Sequence, residues 1–315
     1  MLRRRIVSKC ALRCLPAAIL LGAALLLSSC VSGMSRNDLA TDYYDLGNAY
    51  AGIGKDAKAL EYYGKAISLN PGLASANYNL ARIYLKQGKA AEALTILRGL
   101  LAKDPSNSKM LDTEGYCLYV LDRKTEALAI FRRALGIDPG SATILNNLAV
   151  VEHSVEDFAA AYGHVLQAYH IVPDNTDILL RVAEYARDAN ASVPAIRYFE
   201  DYVQKKPDDI AALTSLGDLY TQERYFDRAL SAYTLVLSKG QNAEVLFKKA
   251  SIELTAADDP EHGLKDLESA LKAGFQDPKA VAHLLAAEDL QSKSEVLLLF
   301  QKYPPKPATP EPAPK

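Results

Sequence analysis

Apolar positions in this chain fall in short helical stripes. Tyr43, Leu46, Gly47 and Tyr50 sit at i, i+3, i+4 and i+7, and Ala59, Tyr63 and Ala66 form a similar stripe further on. This is the 3.6-residue period of a helix with one buried face. The pattern then recurs at one fixed interval of thirty-four positions, marked by Pro71, Pro105, Pro139, Pro173 and Pro207. Ala59, Ala93, Ala127, Ala161, Ala195 and Ala229 keep the same interval, with Gly263 in the seventh position. A third register is always small: Gly47, Ala81, Gly115, Ala149, Ala183, Gly217 and Ser251.

Each interval predicts two antiparallel helices. With Ala40 as place 1, units begin at Ala40, Ala74, Ser108, Ala142, Thr176, Ile210 and Glu244 and the last ends at residue 277. The small residue at place 8 and the Ala at place 20 let two backbones approach, while bulky side chains fill the rest of the seam. Place 24 supplies Tyr63, Leu97, Phe131, Val165, Phe199, Tyr233 and Leu267; place 7 supplies Leu46, Leu80, Leu148, Val182 and Leu216. Proline at place 32 stops the second helix, because it lacks an N–H and restricts the residue before it.

Tyr43, Leu46, Gly47, Tyr50, Ala59, Tyr63, Ala66 and Pro71 resemble the tetratricopeptide pattern W-x2-L-G-x2-Y, then A-x3-F-x2-A and P, with Tyr in place of the first Trp. The resemblance runs from residue 40 to about 277. It implies an all-α fold, a right-handed α-solenoid of about seven helical hairpins closed by a C-terminal cap. Some units depart from the pattern. Glu114 holds the leucine place of the third, and Glu152 the aromatic place of the fourth. The sixth has Gln241 for its proline, and the seventh carries Gly263 for Ala and Pro260 near the start of its second helix, where a missing N–H is harmless. Residues 278–303 predict capping helices, and 304–315 a mobile, polyproline-biased tail.

Residues 1–29 read as an address. A basic stretch from Arg3 to Arg13, an apolar stretch from Leu15 to Leu27 and small residues before Cys30 have the layout of a secretory signal peptide. Leu27-Ser28-Ser29-Cys30 resembles the bacterial lipobox. That resemblance implies cleavage before Cys30 and a diacylglycerol thioether on it, palmitate-type acylation that holds the chain at the bilayer. Val31 after the cysteine, where retained enteric lipoproteins carry Asp, implies the outer membrane, facing the periplasm. Residues 30–39 are then a tether of roughly 15–20 Å. Without the five basic residues of the leader the chain has 31 basic against 38 acidic residues, an acidic body that argues against nucleic acid as partner. Cys117, between Tyr116 and Leu118, reads as a packed small side chain.

The family presents places 2, 5, 6, 9, 12 and 13 of each first helix to a ligand groove. Carried onto this chain, the resemblance implies a surface of Tyr44 and Asn48; Tyr78, Asn79, Arg82 and Lys86; Lys109, Tyr116 and Tyr119; Asn146, Asn147 and His153; and Arg181, Glu184 and Arg187. Asn can both donate to and accept from a peptide backbone, and Tyr and Arg add rigid contact area. Asn48, Asn79 and Lys109 fit the carboxylate clamp of chaperone-binding relatives, but Tyr44 and Thr113 occupy its other two places. The five histidines show no metal-ligand spacing, and no nucleophile motif or phosphate loop is present. The reading is therefore a non-catalytic envelope adaptor without cofactor that binds a protein or peptide partner. A periplasmic accessory of a transport system, sheltering a small apolar ligand, is the alternative.

Overall fold

A computed structural model of the chain describes residues 35–304. The leader, Cys30 and the tail beyond Pro304 lie outside the described residues. Among the described residues there are sixteen α-helices and no strand. They divide into two compact units that meet in sequence between Leu121 and Asp122. The first contains α1 (Arg36–Gly52), α2 (Asp56–Leu69), α3 (Ala74–Lys86), α4 (Ala90–Leu101) and α5 (Ser108–Val120). The second contains α6 (Lys124–Ile137), α7 (Ala142–Ser154), α8 (Phe158–Ile171), α9 (Thr176–Asp188), α10 (Ser192–Lys205), α11 (Ile210–Gln222) and α12 (Phe226–Lys239). It continues with α13 (Ala243–Thr255), α14 (Pro260–Lys272), α15 (Pro278–Ala286) and α16 (Lys293–Lys302).

Local chemistry sets the helix ends. Asn107, Ser141, Asn175, Asp209, Asn242 and Asp277 cap α5, α7, α9, α11, α13 and α15, each side chain accepting a backbone N–H of the first turn. Before the prolines, Asn70, Asp138, Val172 and Lys206 leave the helix at φ near −130° (−133°, −129°, −131° and −132°), the extended backbone that a following proline requires. Pro260 occupies the first turn of α14.

The helices pair through the small registers. Ala59, Ala93, Ala161, Ala195 and Ala229 are fully buried, and so are Tyr63, Leu97, Val165, Phe199 and Tyr233 at place 24 to within 1%. The crossing leaves no room for a side chain where Gly at place 8 faces Tyr at place 24. A Cβ on Gly47 would lie 2.5 Å from the Tyr63 ring, and one on Gly217 2.5 Å from the Tyr233 ring. Where place 8 is Ala, as at Ala81 and Ala183, place 24 is Leu97 or Phe199, neither of which carries a hydroxyl. Burial of this apolar seam, at roughly 25 cal/mol per Å², is what makes short helices persist.

Two expectations need correction. Leu46 is 43% exposed rather than in the seam, although Leu148, Val182 and Leu216 at the same place are buried. Place 7 packs on the preceding hairpin, and among the described residues no helix precedes α1. The first helix also starts at Arg36 instead of Ala40, because Ser35 and Asp38 form a capping box: Ser35 Oγ accepts the Asp38 N–H and Asp38 Oδ2 the Ser35 N–H, both at 3.1 Å.

The cap follows the repeat. Pro278 falls one full interval after Glu244, where an eighth unit would begin. Leu284, Val296 and Phe300 join Leu267 and Leu271 in one apolar cluster. Gln291 N–H donates to Leu254 O at 2.8 Å, and Lys302 and Tyr303 reach Glu268 of α14 at 3.0 and 3.2 Å. The turn between the helices of each hairpin contains one residue in the left-handed region: Gly54, Gly88, Asp122, Glu156, Asn190, Arg224, Asp258 and Ser292, with φ from 48° to 77°. These eight keep the interval of the repeat and stand at place 15. Only the first two are glycine.

Buried carboxylates replace apolar residues at the irregular places. Glu114 accepts from Arg98 Nε at 3.0 Å within the first unit. Glu152, 1% exposed, pairs with His164 Nδ1 at 2.7 Å and lies 3.7 Å from Arg132. A buried charge is tolerated only when paired in this way. The Glu152 hydrogen bond holds the His164 pKa above its ordinary value, against the opposing effect of burial.

Two outcomes are expected. Glu156→Gly relieves left-handed strain at φ 64° and should raise stability by roughly 1 kcal/mol, read from the urea midpoint; no gain would mean the turn is unstrained. Because His164 has a raised folded pKa, its stabilisation is complete below the unfolded value near 6.5 and is lost as pH rises through the folded one. The wild-type advantage over His164→Gln should therefore be largest near pH 5.5 and shrink towards pH 8.5, and an advantage growing with pH would contradict the pairing.

Candidate functional site

In the first unit the first helices carry the predicted polar residues side by side. Tyr63 OH donates to Asn48 Oδ1 at 2.8 Å, and Asn79 Nδ2 donates to the same oxygen at 2.9 Å. The Oδ1 of Asn48 on α1 thus accepts from both Asn79 of α3 and Tyr63 of α2. Burial keeps the Tyr63 hydroxyl protonated, its pKa raised although the Asn79 bond opposes the shift. These bonds use neither the amide N–H groups of Asn48 nor the Oδ1 of Asn79, so one donor and one acceptor type remain for a ligand.

Around this pair lies a cleft of about 420 Å³, whose walls include Asp56, Tyr63, Arg82 and Lys86. Lys86 is tied to Asp56 at 2.7 Å, and the Arg82 guanidinium stands 5.9 Å from the Tyr78 ring centre. Tyr78 OH meets Thr113 Oγ1 at 3.0 Å and donates to Lys109 O at 3.5 Å. Tyr44 packs its ring 6.0 Å from that of Tyr63. Tyr116, 43% exposed, lies 6.3 Å from Tyr119, and Lys109 is exposed. Asn48, Asn79, Arg82 and Lys86 therefore share one cleft; Tyr44, Tyr78, Lys109, Tyr116 and Tyr119 do not line it. Of the clamp residues, Asn48 and Asn79 meet, while Lys109 offers only its carbonyl to Tyr78.

In the second unit Arg181 Nη1 donates to Asn146 Oδ1, and Asn146 Nδ2 donates to Asn147 Oδ1 at 3.4 Å. His153 stacks on Tyr185 at 4.2 Å, and its Nε2 pairs with Asp188 Oδ2 at 2.8 Å. Arg187 Nε donates to the other oxygen of Asp188 at 2.9 Å, and Arg187 Nη1 to Ser215 at 3.3 Å. Burial raises the Asp188 pKa less than the bonds to Arg187 and His153 lower it. For Glu184 burial outweighs Arg187 and Arg181, so its pKa is raised. This stretch is a closed lattice of polar contacts joining α7 to α9 and α9 to α11. The predicted residues are brought together here, but mostly bonded to one another.

A second cleft, of about 500 Å³, lies beyond the predicted set. Its rim includes Asp218 and Thr221 of α11 and Lys248 of α13, at places 9, 12 and 5 of the sixth and seventh repeats. The rule used for the first five repeats would have found them. Lys248 Nζ bridges Asp218 at 2.9 Å and Glu244 at 2.8 Å, and Tyr233 OH donates to Asp218 at 2.7 Å. Burial lowers the Lys248 pKa, but the two carboxylates more than restore it, so it is raised on balance. Cys117 is buried in the first unit, and desolvation, helped by Glu114, pushes its thiol to about 11. It is packing, not a nucleophile.

Tetratricopeptide-repeat family models match residues 54–112 and 212–244. Among curated proteins nothing matches. Solved structures similar to the chain include that of Pseudomonas aeruginosa pilF, 23% identical with a TM-score of 0.55, covering 63% of this chain and 90% of that one. Another is a tetratricopeptide repeat protein from Parabacteroides merdae, 17% identical with a TM-score of 0.51, covering 82% of this chain and 98% of that one. In fold, and in sequence over the two matched segments, the chain is thus similar to tetratricopeptide-repeat proteins.

Proposed function

We propose that this chain is a non-catalytic scaffold that holds a polypeptide segment of another protein against its first helices, anchored through acylated Cys30 at the bacterial outer membrane and facing the periplasm, in envelope assembly or secretion. The observation that supports the polypeptide reading most is the Asn48–Asn79 pair. Two amides on successive first helices are hydrogen-bonded to each other at 2.9 Å and keep N–H and carbonyl groups for a ligand, beside Arg82 and Lys86 in one cleft. A peptide backbone presents the complementary donors and acceptors at every residue. The anchor reading is supported by the lipobox resemblance at Leu27–Cys30. No helix among the described residues is long and apolar enough to cross a membrane.

Selection of a random peptide library on the full-length chain, followed by anisotropy titration of the recovered peptides, tests the cleft. Asn79→Ala and Arg82→Ala should each weaken binding roughly tenfold, about 1.4 kcal/mol, with unchanged helical circular dichroism. Peptides that bind both variants as tightly as the wild type would remove the cleft from the function. Expressed in a bacterial host, the wild type should partition into the detergent phase on cloud-point separation and Cys30→Ser into the aqueous phase; equal partitioning would end the case for an anchor.

A further inference from the structure

The second-unit cleft differs in kind from the first. Its floor is apolar: Phe247 and Phe275 stack at 4.0 Å with 11° between ring planes, beside Ile252 and Leu284. These four are buried, between 2% and 9% exposed, and give the cleft an apolar base. Its rim is acidic, with Asp218, Glu244, Asp277 and Asp289 against Lys248 and Arg224. Lys248 is already committed to Asp218 and Glu244. Glu244 keeps 65% of its side chain exposed, and Asp277 and Asp289 are exposed.

We infer that this cleft takes a polypeptide segment carrying a bulky apolar side chain with basic side chains to either side. Two features converge on that occupant. The apolar floor needs one branched or aromatic side chain, and a 500 Å³ cleft has room for it with its neighbours. The surplus of carboxylates on the rim is complementary to Lys or Arg and unfavourable for acidic ligands. The inference rests on the scaffold reading above and assigns a sequence preference to a second part of it.

The probe is a short fluorescent peptide with a central leucine and a lysine three residues to each side, titrated into the full-length chain. Two controls replace the leucine by serine, or both lysines by glutamate. The parent peptide should bind at least tenfold more tightly than either control, and its affinity should fall as salt is raised. Thr255→Trp, which fills the cleft from α13, and independently Ala280→Trp, which fills it from α15, should each weaken the parent at least tenfold. Glu244→Gln combined with Asp289→Asn should erase its preference over the glutamate control. Asn79→Ala should leave this peptide unaffected, which separates the cleft from the first-unit site. Equal binding of all three peptides, or undiminished binding by both tryptophan variants, overturns the inference while leaving the Asn48–Asn79 cleft to stand or fall on its own test. Preferential uptake of a neutral detergent monomer that the parent peptide cannot displace overturns it in favour of a small apolar ligand.

Discussion

Two helix backbones come into close contact only where the crossing residues carry little or no side chain, and this chain meets that condition once in every repeat. Ala or Gly at place 20 and Gly, Ala or Ser at place 8 allow the approach, and the ring or branched chain at place 24 then closes the space around it. Gly47 against Tyr63 and Gly217 against Tyr233 show how little slack is left: a single added methyl carbon would stand 2.5 Å from a ring carbon in both. Other features of the fold follow from this contact. A helix that buries one stripe in its own hairpin and another in the preceding one has a third face free, and polar side chains can collect there at no cost to the seam.

That free face is used differently along the chain. In the first unit Asn48 and Asn79 are drawn together by the hydroxyl of Tyr63, a residue whose ring belongs to the seam. The packing layer therefore positions the polar layer, and a change of Tyr63 would disturb both. In the α7 to α11 stretch the polar groups satisfy each other, through Arg181 to Asn146 and Arg187 to Asp188, so that face acts more as a brace between hairpins. Towards the C-terminal end of the second unit the face opens again over an aromatic floor.

Much of the hairpin architecture was legible from spacing, because the small registers and prolines act through backbone geometry that hardly depends on neighbours. The exposure of Leu46 was not, since Leu148 and Leu216 at the same place are buried and Leu80 is partly buried, each with a hairpin before it. The meeting of Asn48 with Asn79 could be anticipated from their places, but the Tyr63 hydroxyl that bonds to Asn48 comes from the second helix, which the groove rule ignores. The partners of Glu114 and Glu152 were hidden for a similar reason: Arg98 and His164 lie on second helices at places with no assigned role. Phe275, half of the aromatic floor, sits between helices at the proline place of the seventh repeat, where the pattern predicts a helix stop and not a packed ring. Pro278 did keep the interval and could have revealed that the cap continues the repeat.

The left-handed residue in each turn divides the chain unevenly. Both glycines at this place, Gly54 and Gly88, belong to the first unit, while Asp122, Glu156, Asn190, Arg224, Asp258 and Ser292 all belong to the second. A side chain in that conformation costs roughly 1–2 kcal/mol, and less for Asp and Asn, whose short polar side chains tolerate it, so Glu156, Arg224 and Ser292 carry most of the strain. Backbone hydrogen bonds that close these turns, such as Asp157 N–H to Glu152 O and Tyr225 N–H to Tyr220 O, help the seam to offset it. The second unit thus spends part of its stability on turn conformations that glycine gives the first unit freely.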